Sequence, residues 1–157
     1  MSTHFDLVEF ELSGERYALD IYLAREIVEM MPITPIPRAP PYISGIINLR
    51  GEITSIISLN HLLSLPPNEE LENRKIIVLT TETAGGSNVG IIVDDVHSVI
   101  QVSEENVEHV GEGISSDISS FVKGIIKVGG DDAEKKQGLV IWVDMLRLLK
   151  DLENRTQ

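Results

Sequence analysis

Two adjacent carboxylates, Asp94 and Asp95, follow the apolar run VGIIV, and they are the sharpest hint of chemistry in this chain. Paired acids at a strand end can gather the oxygen ligands that Mg²⁺ requires, which would make either one a candidate phosphate acceptor. The segment that follows them is β-rich, without the βαβ alternation of an α/β domain. Their structural reading is therefore a strand end with exposed carboxylates. The four histidines, His4, His61, His97 and His109, share no ligand spacing with one another. His109 stands beside Glu108, with Glu112 three residues on, but in a Gly-bearing, loop-like segment. Neither the G-x-x-x-x-G-K-[ST] phosphate cradle nor the G-x-S-x-G nucleophile elbow occurs. We expect no catalytic residue, no metal site and no cofactor.

A different kind of chemistry is written in GIINLRGEI. Arg50 falls in a turn between two β-rich pieces, where its guanidinium can stand free and fork onto a partner's carboxylate or carbonyl. Gly45 and Gly51 permit backbone conformations or close approaches that a Cβ would block. Asn48 can brace the turn through its amide. A turn of this kind needs glycine and asparagine for shape alone, but it does not need arginine.

The elements that must position these residues are short strands. Val8, Phe10 and Leu12 alternate with Glu9 and Glu11, while Phe5 and Leu7 keep the opposite phase, which predicts a bulge or a strand covered on both faces. Ser13-Gly14-Glu15 is a turn, and Tyr17, Leu19 and Ile21 resume the alternation. A short helical turn near Leu23 precedes a strand at Glu26 to Met30. Five prolines, Pro32, Pro35, Pro37, Pro40 and Pro41, then deny regular pairing. KIIVLTT and NVGIIVDDV form a hairpin, followed by the strands SVIQV, FVKGIIKV and GLVIWV. Glu104 to Ser120 is a long loop with one helical turn, and Gly129 to Gln137 is a charged loop. Apolar residues at Met145, Leu148, Leu149 and Leu152 mark a closing amphipathic helix.

These strands recur. Tyr17–Met30 aligns without a gap to Val89–Val102, Tyr42–Leu49 to Phe121–Val128, and Ile53–Leu63 to Leu139–Leu149. Ser58 and Asp144 occupy one aligned position, and both are N-cap residue types ahead of a short helix. Short strands with Gly and Pro punctuation in two copies argue for small barrels. We expect a first barrel over 5–65, an acidic connector over 66–74 and a second barrel over 75–152, all within a single 1–157 domain.

With 25 acidic residues against 13 basic, the chain carries a formal charge of −12, which repels phosphate backbones and anionic lipid surfaces. Nucleic acid is not an expected partner. No long apolar run and no basic-then-apolar start is present, so we expect a cytoplasmic protein without direct membrane insertion. The absence of cysteine excludes disulfides and thiolate metal sites.

The strings FELSGERYALDIYLAREI, the P-x-x-I-x-G-I-I-N-L-R-G segment from Pro40 to Gly51, VGIIVDDVHSVIQV, FVKGIIKV and WVDMLRLL, in this order, resemble the CheW family of chemotaxis adaptors. The resemblance runs from about Phe5 to Leu152. It implies a mainly β fold: two SH3-like five-stranded β-barrels side by side, with short helices and a C-terminal helix. It also implies a non-catalytic adaptor between two partners, the cytoplasmic hairpin tip of a methyl-accepting chemoreceptor and the regulatory domain of a CheA-type histidine kinase. Such a protein is recruited to membrane receptor arrays. By match, Glu26, Gly45, Asn48, Arg50 and Gly51 contact partners or shape that surface, and Val96, Val99 and Ile100 line the receptor's side. The family continues R-G-x-x-x-P-x-x-D-L, whereas this chain has Ser55 and Ser58 at the Pro and Asp. Two alternatives remain open at this point: a coupling module of a non-chemotaxis two-component pathway, and a phosphoacceptor switch using Asp94 or Asp95.

Overall fold

A computed structural model describes residues 3–66, 74–82, 86–109, 121–128 and 138–155. Its strands are β1 (His4–Leu12), β2 (Glu15–Asp20), β3 (Ala24–Glu29), β4 (Ile43–Leu49), β5 (Glu52–Ser58), β6 (Lys75–Leu79), β7 (Val89–Val93), β8 (Asp95–Ser103), β9 (Val107–His109), β10 (Val122–Val128) and β11 (Gly138–Val143). Helix α1 (Leu59–Leu62) follows β5, α2 (Met145–Arg155) follows β11, and 3-10 turns occupy Ile21–Leu23 and Glu104–Asn106. The fold is mostly β with few helices, as expected. The opening strand is buried through Leu7, Val8, Glu9 and Phe10, so it is covered on both faces. The acidic connector and the loop over 129–137 lie outside the described residues, apart from Pro66 and Arg74.

The strands form two sheets, one ordered β8-β1-β2-β11-β10-β9 and the other β3-β6-β7-β5-β4. The chain accordingly divides into two compact units. Unit 1 takes Met1–Glu9, Glu15–Ile21 and His97–Gln157; unit 2 takes Phe10–Gly14 and Tyr22–Val96. This corrects the expected division into 5–65 and 75–152. Hairpin β6–β7, from the second sequence copy, is hydrogen-bonded to β3 and β5 of the first. Strands β1 and β2, from the first copy, stand in the sheet of β8, β10 and β11.

The sequence alignment relates the two sheets strand by strand. It equates β2 with β7, β3 with most of β8, β4 with β10 and β5 with β11, and the remaining opening strands are β1 and β6. In those terms both sheets have one order, 3-1-2-5-4, with β9 added at one edge. Hydrogen-bond registers agree as well. Tyr17 faces Ile141 in the parallel pair β2·β11, and the aligned Val89 faces Ser55 in β7·β5. A bulge lies between Ile43 and Gly45 in β4 and between Val122 and Gly124 in β10. Ser58 N donates to Tyr42 O and Asp144 N to Phe121 O, both at 2.8 Å. The cap expectation holds in both copies, since Ser58 Oγ accepts from His61 N at 3.3 Å and Asp144 Oδ1 from Arg147 N at 3.1 Å. Ser58 thus keeps the capping role despite replacing an acid.

Each unit has its own apolar core. In unit 1, Leu7, Ala18, Val102, Val107, Ile126, Val140 and Trp142 cluster, with Phe5, Ile100 and Val128 against them. In unit 2, Ile47, Leu49, Ile56, Ile76, Val78 and Ile92 do so, flanked by Val28, Met30, Met31 and Ile33. A fully buried Ile or Leu of this kind contributes about 1.5–3 kcal/mol relative to exposure. The runs KIIVL and VGIIV are therefore continuous rather than alternating, because β6 and β7 are buried on both faces.

Candidate functional site

Strands β4 and β5 are joined by two residues, with Leu49 opposite Glu52. Arg50 has φ +51° and Gly51 φ +88°, the pair of left-handed conformations of a type I′ turn, whose twist suits a two-residue hairpin. No atom lies within 4 Å of a Cβ built on Gly51, so this glycine is required for its φ and not for space. Asn48 Oδ1 accepts from Gly51 N at 2.8 Å, which braces the turn through the amide oxygen. Arginine is costlier than asparagine or glycine at the first turn position, by about 1 kcal/mol. That a strained residue is held here points to a role for its side chain.

That side chain does not stand free. Arg50 Nη2 is ion-paired and hydrogen-bonded to Glu26 Oε1 on β3, which corrects the expectation of an isolated guanidinium. The hydrogen bond from Arg50 holds the Glu26 carboxyl below the usual carboxylate range, and the same bond raises the Arg50 pKa. The pair therefore stays ionised at neutral pH. Arg25 Nη1 lies 3.4 Å from Glu52 Oε2, and Arg25 Nε lies 3.9 Å from Glu26 Oε1. Four charges of alternating sign thus meet at one end of the sheet. Arg25 and Glu52 were not singled out in the sequence, because nothing local predicts that β3 and the β4–β5 turn meet. They meet because the sheet coils. Strands β3 and β4 are its two edges, and after β3 the chain returns to β4, where Thr34 N donates to Ile46 O and Ile46 N to Thr34 O, each at 2.9 Å.

Gly45 has a different task. Its φ is +147°, and a Cβ there would sit 2.2 Å from Thr34 O and 2.7 Å from Ile33 Cγ2. It shapes the site indirectly, by admitting the segment that brings the two edges together. Gly124, its counterpart in unit 1, likewise admits β9, with Glu108 O 3.0 Å from the built Cβ.

Beside the turn, polarity is inverted: Ile53 is 58 % exposed and paired with exposed Asn48, whereas Thr54 is buried opposite Ile47. The remaining expected residues lie elsewhere. On β8, Val99 is 55 % exposed, while Ile100 is half-buried against the unit 1 core. Val96 is half-buried at the start of that strand, its N–H donating to Asp95 Oδ1 at 2.9 Å. The structure therefore brings together Glu26, Asn48, Arg50 and Gly51 in unit 2. Val99 and Ile100 belong to unit 1.

The acidic pair is not the exposed pair expected. Asp94 is 1 % exposed, and its Oδ2 accepts from Ser13 N at 2.7 Å, capping the β1–β2 turn. Ser13 Oγ also donates to Pro66 O and accepts from Asn60 Nδ2. Among the described residues, no group of three or more His, Asp or Glu is arranged to hold a metal ion. Burial pushes the Asp94 carboxyl pKa up; the Ser13 bond lowers it and Glu11 raises it. Above about pH 4 the unfolded chain has released this proton while the native state still holds it, so stability falls as pH rises through the raised native pKa. Asp94→Asn keeps an acceptor for Ser13 and removes the penalty. We expect it to equal or exceed the parent's urea midpoint at pH 7.5, with the gain absent near pH 4. A midpoint well below the parent's at pH 7.5 would show that the ionised form stabilises the fold.

The CheW-like domain profile matches residues 6–153. The chemotaxis protein CheW of Treponema pallidum is 37 % identical over 130 residues, covering 80 % of this chain and 74 % of that protein. The CheW of Bacillus subtilis is 33 % identical over 121 residues, covering 77 % and 76 %. Among solved structures, the scaffolding protein TtCheW of Thermoanaerobacter tengcongensis superimposes with a TM-score of 0.74 at 32 % identity, covering 90 % of each chain.

Proposed function

The chain belongs to the CheW-like family, and from that membership we propose that it acts as a non-catalytic adaptor of chemotaxis signal transduction. It links the cytoplasmic hairpin tip of a chemoreceptor to the regulatory domain of a CheA-type histidine kinase. The observation that carries this reading is the family match across 6–153, nearly the whole chain. The polar, strained β4–β5 turn supports it, since that turn offers recognition chemistry with no reacting group beside it. Asp94 is committed to a turn instead of presented to Mg²⁺ or a phosphoryl donor. No described helix is long and apolar enough to cross a membrane, so recruitment to receptor arrays would rest on protein contacts. Val99 and the Arg50 turn, with Glu26, Asn48, Gly51 and Ile53, are the surfaces we assign to partners. Gly45, Val96 and Ile100 shape or support those surfaces.

Co-sedimentation with receptor hairpins and a kinase regulatory domain tests the proposal, and failure of the parent to bind either partner would end it. Arg50→Asn separates fold from contact, because asparagine suits the left-handed turn position better than arginine. We expect unchanged or slightly higher thermal stability. Association should weaken by about 1–3 kcal/mol, the range for a charge-assisted contact. Parental affinity for both partners would remove Arg50 from the binding surface.

A further inference from the structure

Between β3 and β4 the chain runs through Pro32, Pro35, Pro37, Pro40 and Pro41. Backbone bonds pin this arm on both sides of one turn: Thr34 N donates to Ile46 O and Ile43 N to Pro40 O, each at 2.9 Å. Within the turn, Ala39 N donates to Ile36 O at 3.3 Å. Pro37 is confined to negative φ by its ring, whereas Arg38 has φ +64°. That succession of angles defines a type II turn, whose third position calls for glycine or asparagine. Arginine is strained there, because its Cβ crowds the following carbonyl. The turn thus repeats a feature of the Arg50-Gly51 hairpin, which also holds an arginine in the left-handed region.

Strain of this kind asks what the side chain does. Ser13, also at positive φ, has a local answer, since its Oγ donates to Pro66 O and accepts from Asn60 Nδ2. Arg50 is ion-paired to Glu26, and Arg25 lies beside Glu52. Arg38 is exposed and makes no hydrogen bond or ion pair among the described residues. The chain carries 25 acidic residues against 13 basic, yet none of the described carboxylates pairs with this guanidinium. Its N–H donors are all available to another molecule. Ile36, 40 % exposed, stands two residues away in the same turn. A turn fixed by proline and by flanking backbone bonds loses little freedom on binding.

Arg38 precedes β4 and Arg50 follows it. From the Thr34–Ile46 bridge the arm runs antiparallel to β4, toward the start of that strand. The two turns therefore lie at its opposite ends, and its seven residues span roughly 20 Å. One contact loop does not reach both turns, but two partners can hold one each.

We propose that the Ile36-Pro37-Arg38 turn is a second docking point, where Arg38 takes a carboxylate of a partner protein other than the one held at the Arg50 turn. This rests on the adaptor reading above and deepens it. An adaptor needs separate surfaces for its two partners, and unit 2 offers an arginine at each end of β4. The surface that fits is acidic, with an apolar side chain to meet Ile36.

Receptor hairpins and a kinase regulatory domain, titrated separately against the parent, Arg38→Asn and Arg50→Asn, test the proposal. Asparagine relieves the left-handed position, so Arg38→Asn should melt at or above the parental temperature. It should weaken one partner roughly tenfold and leave the partner that Arg50→Asn weakens at parental affinity. The loss should shrink when salt is raised to about 0.5 M, because exposed charges are screened. Parental affinity of Arg38→Asn for both partners overturns the proposal, as does weakening of the same partner by both variants. A loss of equal size at high salt overturns the carboxylate assignment. A parent that binds neither partner instead ends the adaptor reading, and this proposal with it.

Discussion

Gly45→Ala is expected to lower the unfolding free energy by about 3 kcal/mol, combining overpacking at about 1–3 kcal/mol with a positive-φ penalty of about 1–2 kcal/mol. For a chain of this length that corresponds to a melting point lower by roughly 6–12 °C. The clash is with backbone, since a built Cβ lies 2.2 Å from Thr34 O, and no rotamer change can relieve it. Relief requires the Thr34 segment to leave Ile46, which would also loosen the approach of β3 to the β4–β5 turn. Gly124→Ala should cost less: its nearest neighbour is a Val107 side-chain methyl at 2.8 Å, and backbone begins only at 3.0 Å. Gly51→Asn should cost least, because the space is open and asparagine tolerates the left-handed region. Urea titrations of the three variants check the ranking. Equal losses at Gly45 and Gly51 would show that φ alone matters at both.

Asp20→Ala is expected to destabilise by about 2–4 kcal/mol, because it removes the acceptor shared by a buried indole N–H and a partly buried ammonium. Trp142 is the only tryptophan, so its fluorescence reads this site while far-ultraviolet dichroism reads the whole chain. Phe5, whose ring centroid is 4.9 Å from that of Trp142, packs beside it. The two probes should show fluorescence changing at lower denaturant than dichroism if unit 1 loosens on its own, or together if the transition stays cooperative. In either case the fluorescence midpoint must fall. Asp20→Asn should lose about half as much, since its amide oxygen still accepts from Nε1. A fluorescence midpoint unmoved by Asp20→Ala would mean that the two hydrogen bonds to Asp20 contribute nothing to stability.

Most of the elements were legible locally. Gly, Pro and apolar runs placed the strands. The short turn at Leu23, the helix after Ser58 and the final helix after Asp144 followed from cap types and apolar spacing. The turn at Arg50-Gly51 was visible because Gly51, with Asn48 beside it, interrupts two β-rich pieces. Three things were not legible. The ion pair of Arg50 with Glu26 joins positions on opposite edges of a sheet, and no sequence pattern encodes how far a sheet coils. The burial of Asp94 depends on the β1–β2 turn, 81 residues away, where Ser13 N donates to its carboxylate. The outward Ile53 and inward Thr54 run against hydropathy, and nothing in the local sequence marks them.

What the amino-acid sequence determined by itself was the repeating unit: its strands, its turn types, its capping residues and its family. Those are properties of a chain over a few residues, and the duplication writes them twice. What only the tertiary structure decided was which half of each copy goes with which. Hydrogen bonds between strands have no preference of their own between two equivalent sheets. The choice falls to chain connectivity: Asp94 alone separates β7 from β8, and Ile21–Leu23 separates β2 from β3, links too short to carry the third strand back across its own copy's opening strand.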